Sequence, residues 1–387
     1  MKNQVVMRNG WGILRALLPV QLARRNAFFF PFIPSHLSVV GLAVTHNCNS
    51  RCRTCPIWKY KASNELSLDE IGGVLTQLRE LGSSFIILTG GEPLLRKDLV
   101  GIVRRATGLK FEEILLLTNG LLLTENLAQQ VIEAGVTRIW ISVDGREEIN
   151  DSIRGVKGYF KNAISVLEVL SALRQNKYPY LDVGVVQTIM KETVGEIIPV
   201  ANLAKELGVK LFFSPLLDTA HLPLDSKAVP DSVTSPSAAG AVDIRDLWVE
   251  DQYELDKVMD ELHEMKSESP NLFPVTTTHV SLEYVRRYFR DPRRGDIPCM
   301  LGHTSLTISS HGEVYPGCWV FGPVGNIREK SLREIITSEE YNKKRRKIFY
   351  KKCSGCSCNY ELNLLYWIPW IKDGIKWRIK LRTKGKY

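Results

Sequence analysis

Two absences limit what this chain can be. The first 64 residues contain no aspartate or glutamate, and no uninterrupted apolar stretch reaches the ~18 residues of a membrane span. Cysteine is missing from most of the chain, since all eight cysteines lie at 48–55 or at 299–358. This clustering favours metal ligation in a reducing compartment over a disulfide framework. The sequence therefore predicts a cytoplasmic protein without a transmembrane helix.

Positive charge is concentrated at the two ends. The net charge is +9, yet residues 343–386 alone contribute +12, so the remainder sums to about −3. Residues 1–36 mix apolar and basic side chains, and residues 359–387 interleave tryptophan with lysine and arginine. Such composition is typical of peripheral binding to the inner face of a membrane. Nucleic acid is a less favoured partner, and packing of both ends on the protein's own core stays open.

Between these ends, strand-like and helix-like segments alternate. Ser67 and Thr124 are typical helix N-caps, and glycines at 82, 135 and 208 end helices. Six consecutive strand–helix units predict an α/β fold with a parallel sheet, whose post-strand loops all lie on one side. The predicted strands are 38–45, 84–88, 113–117, 138–143, 182–189 and 209–214.

The loop after the first predicted strand carries Cys48, Cys52 and Cys55 in the spacing CxxxCxxC. Three thiols can converge on one metal centre without completing its coordination, because zinc sites and [4Fe–4S] clusters normally take four protein ligands. A zinc site with a distant fourth ligand is the alternative. The pattern predicts a metal centre with one open position, where chemistry can occur.

The next post-strand loop contains Gly90, Gly91, Glu92 and Pro93. Together with the CxxxCxxC loop, this sequence resembles the cluster loop and GGEP motif of the radical S-adenosylmethionine (radical SAM) family. The resemblance implies a six-unit partial TIM barrel and a [4Fe–4S] cluster whose fourth iron binds SAM. It also implies that the GGEP segment holds the SAM amino group, which suits a carboxylate facing an ammonium.

By the same resemblance, further SAM contacts lie at and after the end of the fourth predicted strand. Ser142 and Asp144 occupy positions that contact the SAM ribose, its methionine part or the substrate. Arg154 is a candidate for the SAM carboxylate, because a guanidinium can bind a carboxylate with two hydrogen bonds. A surface arginine is the alternative for this position.

The second cysteine group contains Cys299 and Cys318, which flank a predicted hairpin turning at His311–Gly312. It resembles the SPASM/twitch auxiliary domain of a radical SAM subgroup. With five cysteines, one auxiliary [4Fe–4S] cluster is expected, and a zinc ribbon is the alternative. The other ligands of this small α+β domain are expected to be two of Cys353, Cys356 and Cys358, and the role of the fifth cysteine stays open.

These features divide the chain into five parts. We expect a basic amphipathic extension (1–36), a radical SAM core (37–225), a linker with bridging helices (226–290), the auxiliary domain (291–358) and a basic aromatic tail (359–387).

The resemblance implies an enzyme that takes an electron from a flavodoxin or ferredoxin, cleaves SAM to a 5'-deoxyadenosyl radical and abstracts hydrogen from an unactivated C–H bond. The basic ends favour a lipid or other membrane-borne substrate. A peptide, or a sugar or aminoglycoside, is the alternative, and a non-enzymatic iron–sulfur electron carrier is the alternative of another class.

Overall fold

The computed structural model describes residues 37–55, 57–59, 62–216, 244–274, 277–291 and 299–350. The basic ends, residues 226–243 of the predicted linker, and Cys353, Cys356 and Cys358 lie outside the described residues. No helix in the described part combines the length and the apolar character needed to span a membrane.

The described strands form one nine-stranded sheet in the order β6-β5-β4-β3-β2-β1-β7-β8-β9. β1 to β7 run parallel, and β7, β8 and β9 pair antiparallel. The six predicted strands are confirmed within one or two residues. The strands are β1 (Val39–Thr45), β2 (Phe85–Gly90), β3 (Glu113–Thr118), β4 (Arg138–Ser142), β5 (Asp182–Ile189), β6 (Lys210–Pro215), β7 (Ser305–Ile308), β8 (Glu313–Tyr315) and β9 (Gly325–Asn326).

Helices connect the parallel strands, and the predicted caps are present. Ser67 and Glu70 form a capping box, and the Thr124 side chain accepts from the Leu127 amide. The helices are α1 (Leu68–Glu80), α2 (Leu99–Gly108), α3 (Glu125–Ala134), α4 (Glu147–Arg154), α5 (Tyr159–Asn176), α6 (Ile197–Glu206), α7 (Gln252–Glu268), α8 (His279–Arg290), α9 (Leu301–Thr304), α10 (Leu332–Thr337) and α11 (Glu339–Phe349).

The two faces of the sheet differ. Alternate strand residues such as Ile139 and Ile141 pack with the helices in the main hydrophobic core. The opposite, inner face presents aromatic and aliphatic side chains at mid-strand. Trp140 of β4 meets Phe212 of β6 with ring centroids 5.3 Å apart, above Gly184 of the intervening β5. The inner face is thus apolar and carries rings.

The helices of the bridging segment pack on the core of the protein. α7 and α8 pack together, and Leu255, Met259 and Leu262 are buried in the main core. The auxiliary region is likewise joined to the core, because β7 pairs in parallel with β1 from Val39↔Ser305 onward. The hairpin of the auxiliary region thus extends the core sheet.

Candidate functional site

The cysteine loop (residues 46–55) begins directly after β1, and a carboxylate holds its start. Glu65 accepts hydrogen bonds from Thr45 Oγ1 at 3.0 Å and from the His46 amide at 2.6 Å. Glu65 is the first acidic residue of the chain. Glu65 is not among the predicted site residues, although its position as the first acidic residue after a basic segment distinguishes it in the sequence.

The glycines after β2 pack against this same loop. The Gly91 amide donates to the Thr45 carbonyl, and the Glu92 amide donates to the Asn47 carbonyl, both at 2.7 Å. A Cβ atom on Gly90 or Gly91 would collide with the carbonyl oxygens of Thr45 and Asn47 respectively. The two glycines are therefore needed for contact between two backbones, which brings the GGEP segment beside the cysteines.

Glu92 is buried and links the loops after β2 and β3. Its Oε1 accepts from the Leu94 amide and from Thr118 Oγ1, and its Oε2 accepts from the Asn119 amide at 2.7 Å. Burial raises the pKa of this carboxyl, while these hydrogen bonds lower it. Since a carboxylate accepts about four hydrogen bonds, Glu92 retains one acceptor position.

Asn119 adds a direct contact from the loop after β3. Its Nδ2 donates to Asn49 Oδ1 at 2.7 Å and to Ser50 Oγ at 2.9 Å. The predicted site residues do not include Asn119, although its position after a parallel strand indicated the correct edge of the sheet.

The C-terminal turn of α4 holds the other side of the cysteine loop. The Arg51 amide donates to the Arg154 carbonyl at 3.0 Å, and the Arg53 amide donates to the Ile153 carbonyl at 2.9 Å. Gly155 ends α4 in the left-handed conformation, and a Cβ there would lie 2.5 Å from the Arg51 carbonyl oxygen. The loop is thus fixed by backbone contacts on two sides.

Arg154 is buried rather than on the surface. Its Nη2 pairs with Asp144 Oδ2 at 2.7 Å, its Nη1 lies 3.9 Å from Cys52 Sγ, and its buried Nε has no hydrogen-bond partner. Asp144 is 1% exposed and accepts from the Thr188 amide through Oδ1. Ser142 is half-buried at the end of β4, where its carbonyl accepts from the Tyr159 hydroxyl.

The three thiols of the loop are half-buried and free. Burial is the largest cause that raises the pKa of Cys48 to about 11, and burial also raises the pKa of Cys55. A bound cation would have to displace the protons of Cys48 and Cys55. Beside Cys48 lies a cavity of about 550 Å³, whose lining residues are Cys48, Asn49, Arg51, Trp58 and Lys59.

Within the described residues, no three histidine, cysteine, aspartate or glutamate side chains are arranged to hold a single metal ion. A cluster distributes its thiolate ligands over separate iron atoms, so its cysteines need not converge on one point.

In the auxiliary region, Cys299 and Cys318 come together. Cys299 is buried with Leu301 and Ile348, and Cys318 packs against this small core. The two cysteines therefore bracket the hairpin as predicted, with its turn at Gly312.

The tip of this hairpin reaches the cysteine loop. The His311 and His46 rings lie 5.0 Å apart, and His311 Nε2 is 2.9 Å from the Ser63 carbonyl. Arg328 pairs with Glu70 at 2.6 Å and donates to the Glu65 carbonyl. The auxiliary region thus contacts the segment that holds the start of the cysteine loop.

Comparison with protein families agrees with this geometry. The model of the radical SAM superfamily matches residues 42–204, and the model of the SPASM iron–sulfur cluster-binding domain matches residues 299–358. The chain belongs to the radical SAM enzymes with a C-terminal SPASM domain. Its cofactors are SAM, a [4Fe–4S] cluster in the core and an auxiliary iron–sulfur cluster in the SPASM domain.

Among its relatives is the AdoMet-dependent heme synthase of Methanosarcina barkeri, 28% identical over 348 residues that cover 82% of this chain and 90% of that protein. The Fe-coproporphyrin III synthase of the same organism is 30% identical over 223 residues, 55% of this chain and 53% of that protein. In fold, the chain resembles Streptococcus suis SuiB bound to S-adenosylmethionine, with a TM-score of 0.61 at 16% identity, covering 89% and 78% of the two chains.

Proposed function

We propose that Cys48, Cys52 and Cys55 hold the core cluster and that SAM binds across the GGEP segment. In this family the bound cluster and SAM supply a carbon-centred radical that removes hydrogen from a substrate C–H bond. The cysteine loop is held by Glu65 and by the backbone of α4, so its thiols are positioned before any cofactor binds. An external one-electron donor is required, as in other radical SAM enzymes.

For SAM itself, we propose contacts from both sides of the loop. The backbone of Gly90 and Gly91 and the free acceptor position of Glu92 face the amino group, and Pro93 starts the turn that orients Glu92. Ser142, Asp144 and Arg154 lie at the ends of β4 and α4 and serve the ribose and carboxylate. In the auxiliary region, we propose Cys299 and Cys318 as ligands together with two of Cys353, Cys356 and Cys358.

We propose a tetrapyrrole as the substrate, and one observation carries this proposal: the alignment with a heme synthase that extends over 90% of that protein. The lipid prediction depends on residues outside the described part of the chain and receives no support from these relatives. A peptide remains the second candidate, although the likeness to SuiB at 16% identity supports the fold alone.

The inner face of the sheet suits a flat apolar ring. Trp140 and Phe212 provide an aromatic surface at mid-strand, and Phe212 is half-exposed. At the start of the strands, Arg138 lies over Phe85 with 5.4 Å between its Cζ and the ring centroid. Arg138 and Lys210 pair with Glu113 and Asp182 respectively, so the charge at this end of the face is balanced and the aromatic surface at mid-strand is the part that would bind the ring.

The test measures 5'-deoxyadenosine release by the anaerobically reconstituted, dithionite-reduced protein supplied with SAM. We expect iron-coproporphyrin III or heme to stimulate release roughly tenfold, since substrate binding commits SAM to cleavage. Cys52→Ala should release only background amounts. Stimulation by liposomes but not by the tetrapyrroles would replace the proposed substrate with a lipid, and activity retained in Cys52→Ala would refute the cluster assignment.

Binding to the inner face is tested separately by visible absorption titration with iron-coproporphyrin III. Trp140→Ala should weaken binding about tenfold, because it removes one wall of the aromatic surface. Tyr180→Ala is the matched control, since Tyr180 is 53% exposed outside the sheet. Equal affinity in both variants would exclude this face as the binding surface.

A further inference from the structure

We propose that Arg154 tunes the core cluster by donating an N–H···S hydrogen bond to the sulfur of Cys52, which favours the reduced state. This inference rests on the proposed role of Cys52 as a cluster ligand. It gives Arg154 a function that is independent of SAM.

The guanidinium is oriented toward the cysteine by its own contacts. Nη1 lies 3.9 Å from Cys52 Sγ, whereas Nη2 is bound to Asp144 Oδ2 at 2.7 Å. The Tyr159 ring lies 5.8 Å from the guanidinium carbon, on another side. The Arg154 side chain is 13% exposed, so its charge acts in an environment where water screens little.

The counter-ion is itself fixed. Asp144 Oδ1 accepts from the Thr188 amide at 2.8 Å, its amide donates to Asn150 Oδ1, and its carbonyl accepts from Gln187 Nε2. The Arg154–Asp144 pair is therefore a buried dipole that cannot rotate freely, with its positive end nearest the sulfur. The ion pair also offsets part of the free-energy cost of burying the arginine, since an unpaired buried charge is strongly destabilising.

The backbone fixes the distance between donor and sulfur. The carbonyl of Arg154 accepts from the Arg51 amide, one residue before Cys52. Since both ends of the N–H···S contact belong to segments that are bonded to each other, the contact does not depend on a flexible surface side chain.

The effect on the cluster follows from charge. Reduction adds one electron from an external donor to the cluster and breaks no bond, so the cluster becomes more negative by one charge. Hydrogen bonds and positive charge at the cluster sulfurs stabilise that state and raise the reduction potential. Asp144 opposes this effect, so the two members of the pair should act in opposite directions.

The test is an EPR-monitored redox titration of the reconstituted full chain without SAM. Arg154→Gln should shift the midpoint potential to a more negative value, Arg154→Lys should shift it less, and Asp144→Asn should shift it to a less negative value. Arg53→Gln is the matched control, because Arg53 lies in the same loop but pairs with Glu192 at 2.9 Å in an exposed position. Its potential should equal that of the wild type.

Iron content and the EPR spectrum show whether each variant holds its cluster. Unchanged potentials in cluster-containing Arg154→Gln and Asp144→Asn would overturn the proposal, as would shifts of the same sign in both. Absence of SAM cleavage by the wild type would refute the proposed function instead. Because the titration contains no SAM, its result does not depend on that activity.

Discussion

Gly91 illustrates how one missing side chain determines the geometry of the site. Its amide hydrogen bond to Thr45 and the adjacent bond from Glu92 to Asn47 continue the β1–β2 pairing beyond the strands. The loop after β2 and the cysteine loop therefore share a backbone contact. The glycine is needed for this contact, whatever the ligand.

We expect Gly91→Ala to separate these loops, because the added methyl group collides with the Asn47 carbonyl. The cost is about 1–3 kcal/mol in the free energy of unfolding, with a strong loss of 5'-deoxyadenosine release. Gly73→Ala is the control: nothing lies within 4 Å of a Cβ there, in the middle of α1. That variant should gain up to about 1 kcal/mol, since alanine favours helix. Equal stability of the two variants, measured by urea denaturation, would contradict the contact argument.

At the scale of elements, α7 and α8 are joined by a pair of histidines. His263 Nδ1 and His279 Nδ1 lie 2.8 Å apart, and the rings are stacked at 5.1 Å. Such a contact needs one donor and one acceptor, so at most one of the two rings is charged. Burial, and then the charge of Lys266, lower the pKa of His279 to about 4.

This pair predicts a pH-dependent stability. In the unfolded chain His279 takes up a proton near pH 6.5, whereas in the folded protein it does so only near pH 4. The contribution of neutral His279 to the free energy of unfolding is therefore fully present above pH 6.5. It declines as the pH falls from 6.5 to about 4. We expect a loss of about 1 kcal/mol between pH 7.5 and 5, after allowing for partial exposure of the ring. His279→Gln should remove this part of the pH dependence in urea denaturation; an unchanged difference between the two pH values would refute the assignment.

Elements were more predictable from the sequence than contacts between them. Strand positions, the caps at Ser67 and Thr124 and the turn at Gly312 depend on local periodicity and turn chemistry, so the sequence indicated them. The burial of Arg154 and the anchor at Glu65 depend on partners far away in the chain. No local pattern specifies such partners, and a lone arginine has the same sequence signal on a surface or in a core.

Over the whole molecule, the sheet unites the two family regions. β7 continues the parallel ladder of β1, and the Ser38 amide donates to the Thr304 carbonyl at the start of this pairing. α10 adds a second contact, because the Leu332 amide donates to Gln77 Oε1 of α1. The described residues of the auxiliary region are therefore built onto the core.

We expect residues 299–350 and the core to unfold in one transition. Ile308→Ala, at a fully buried position in β7, should cost about 2–5 kcal/mol and lower the stability of both regions together. Hydrogen exchange would show this as equal loss of protection in β7 and in β1 to β3. A loss confined to residues 299–350 would indicate an independent domain.

The pairing of β7 with β1 also fixes a distance within the molecule. β1 leads directly into the cysteine loop, and β7 lies between Cys299 and Cys318, so hydrogen-bonded strands rather than a hinge set the spacing between this loop and these two cysteines. Electron exchange between centres at such fixed spacing would need no domain closure. Its rate should be insensitive to solvent viscosity.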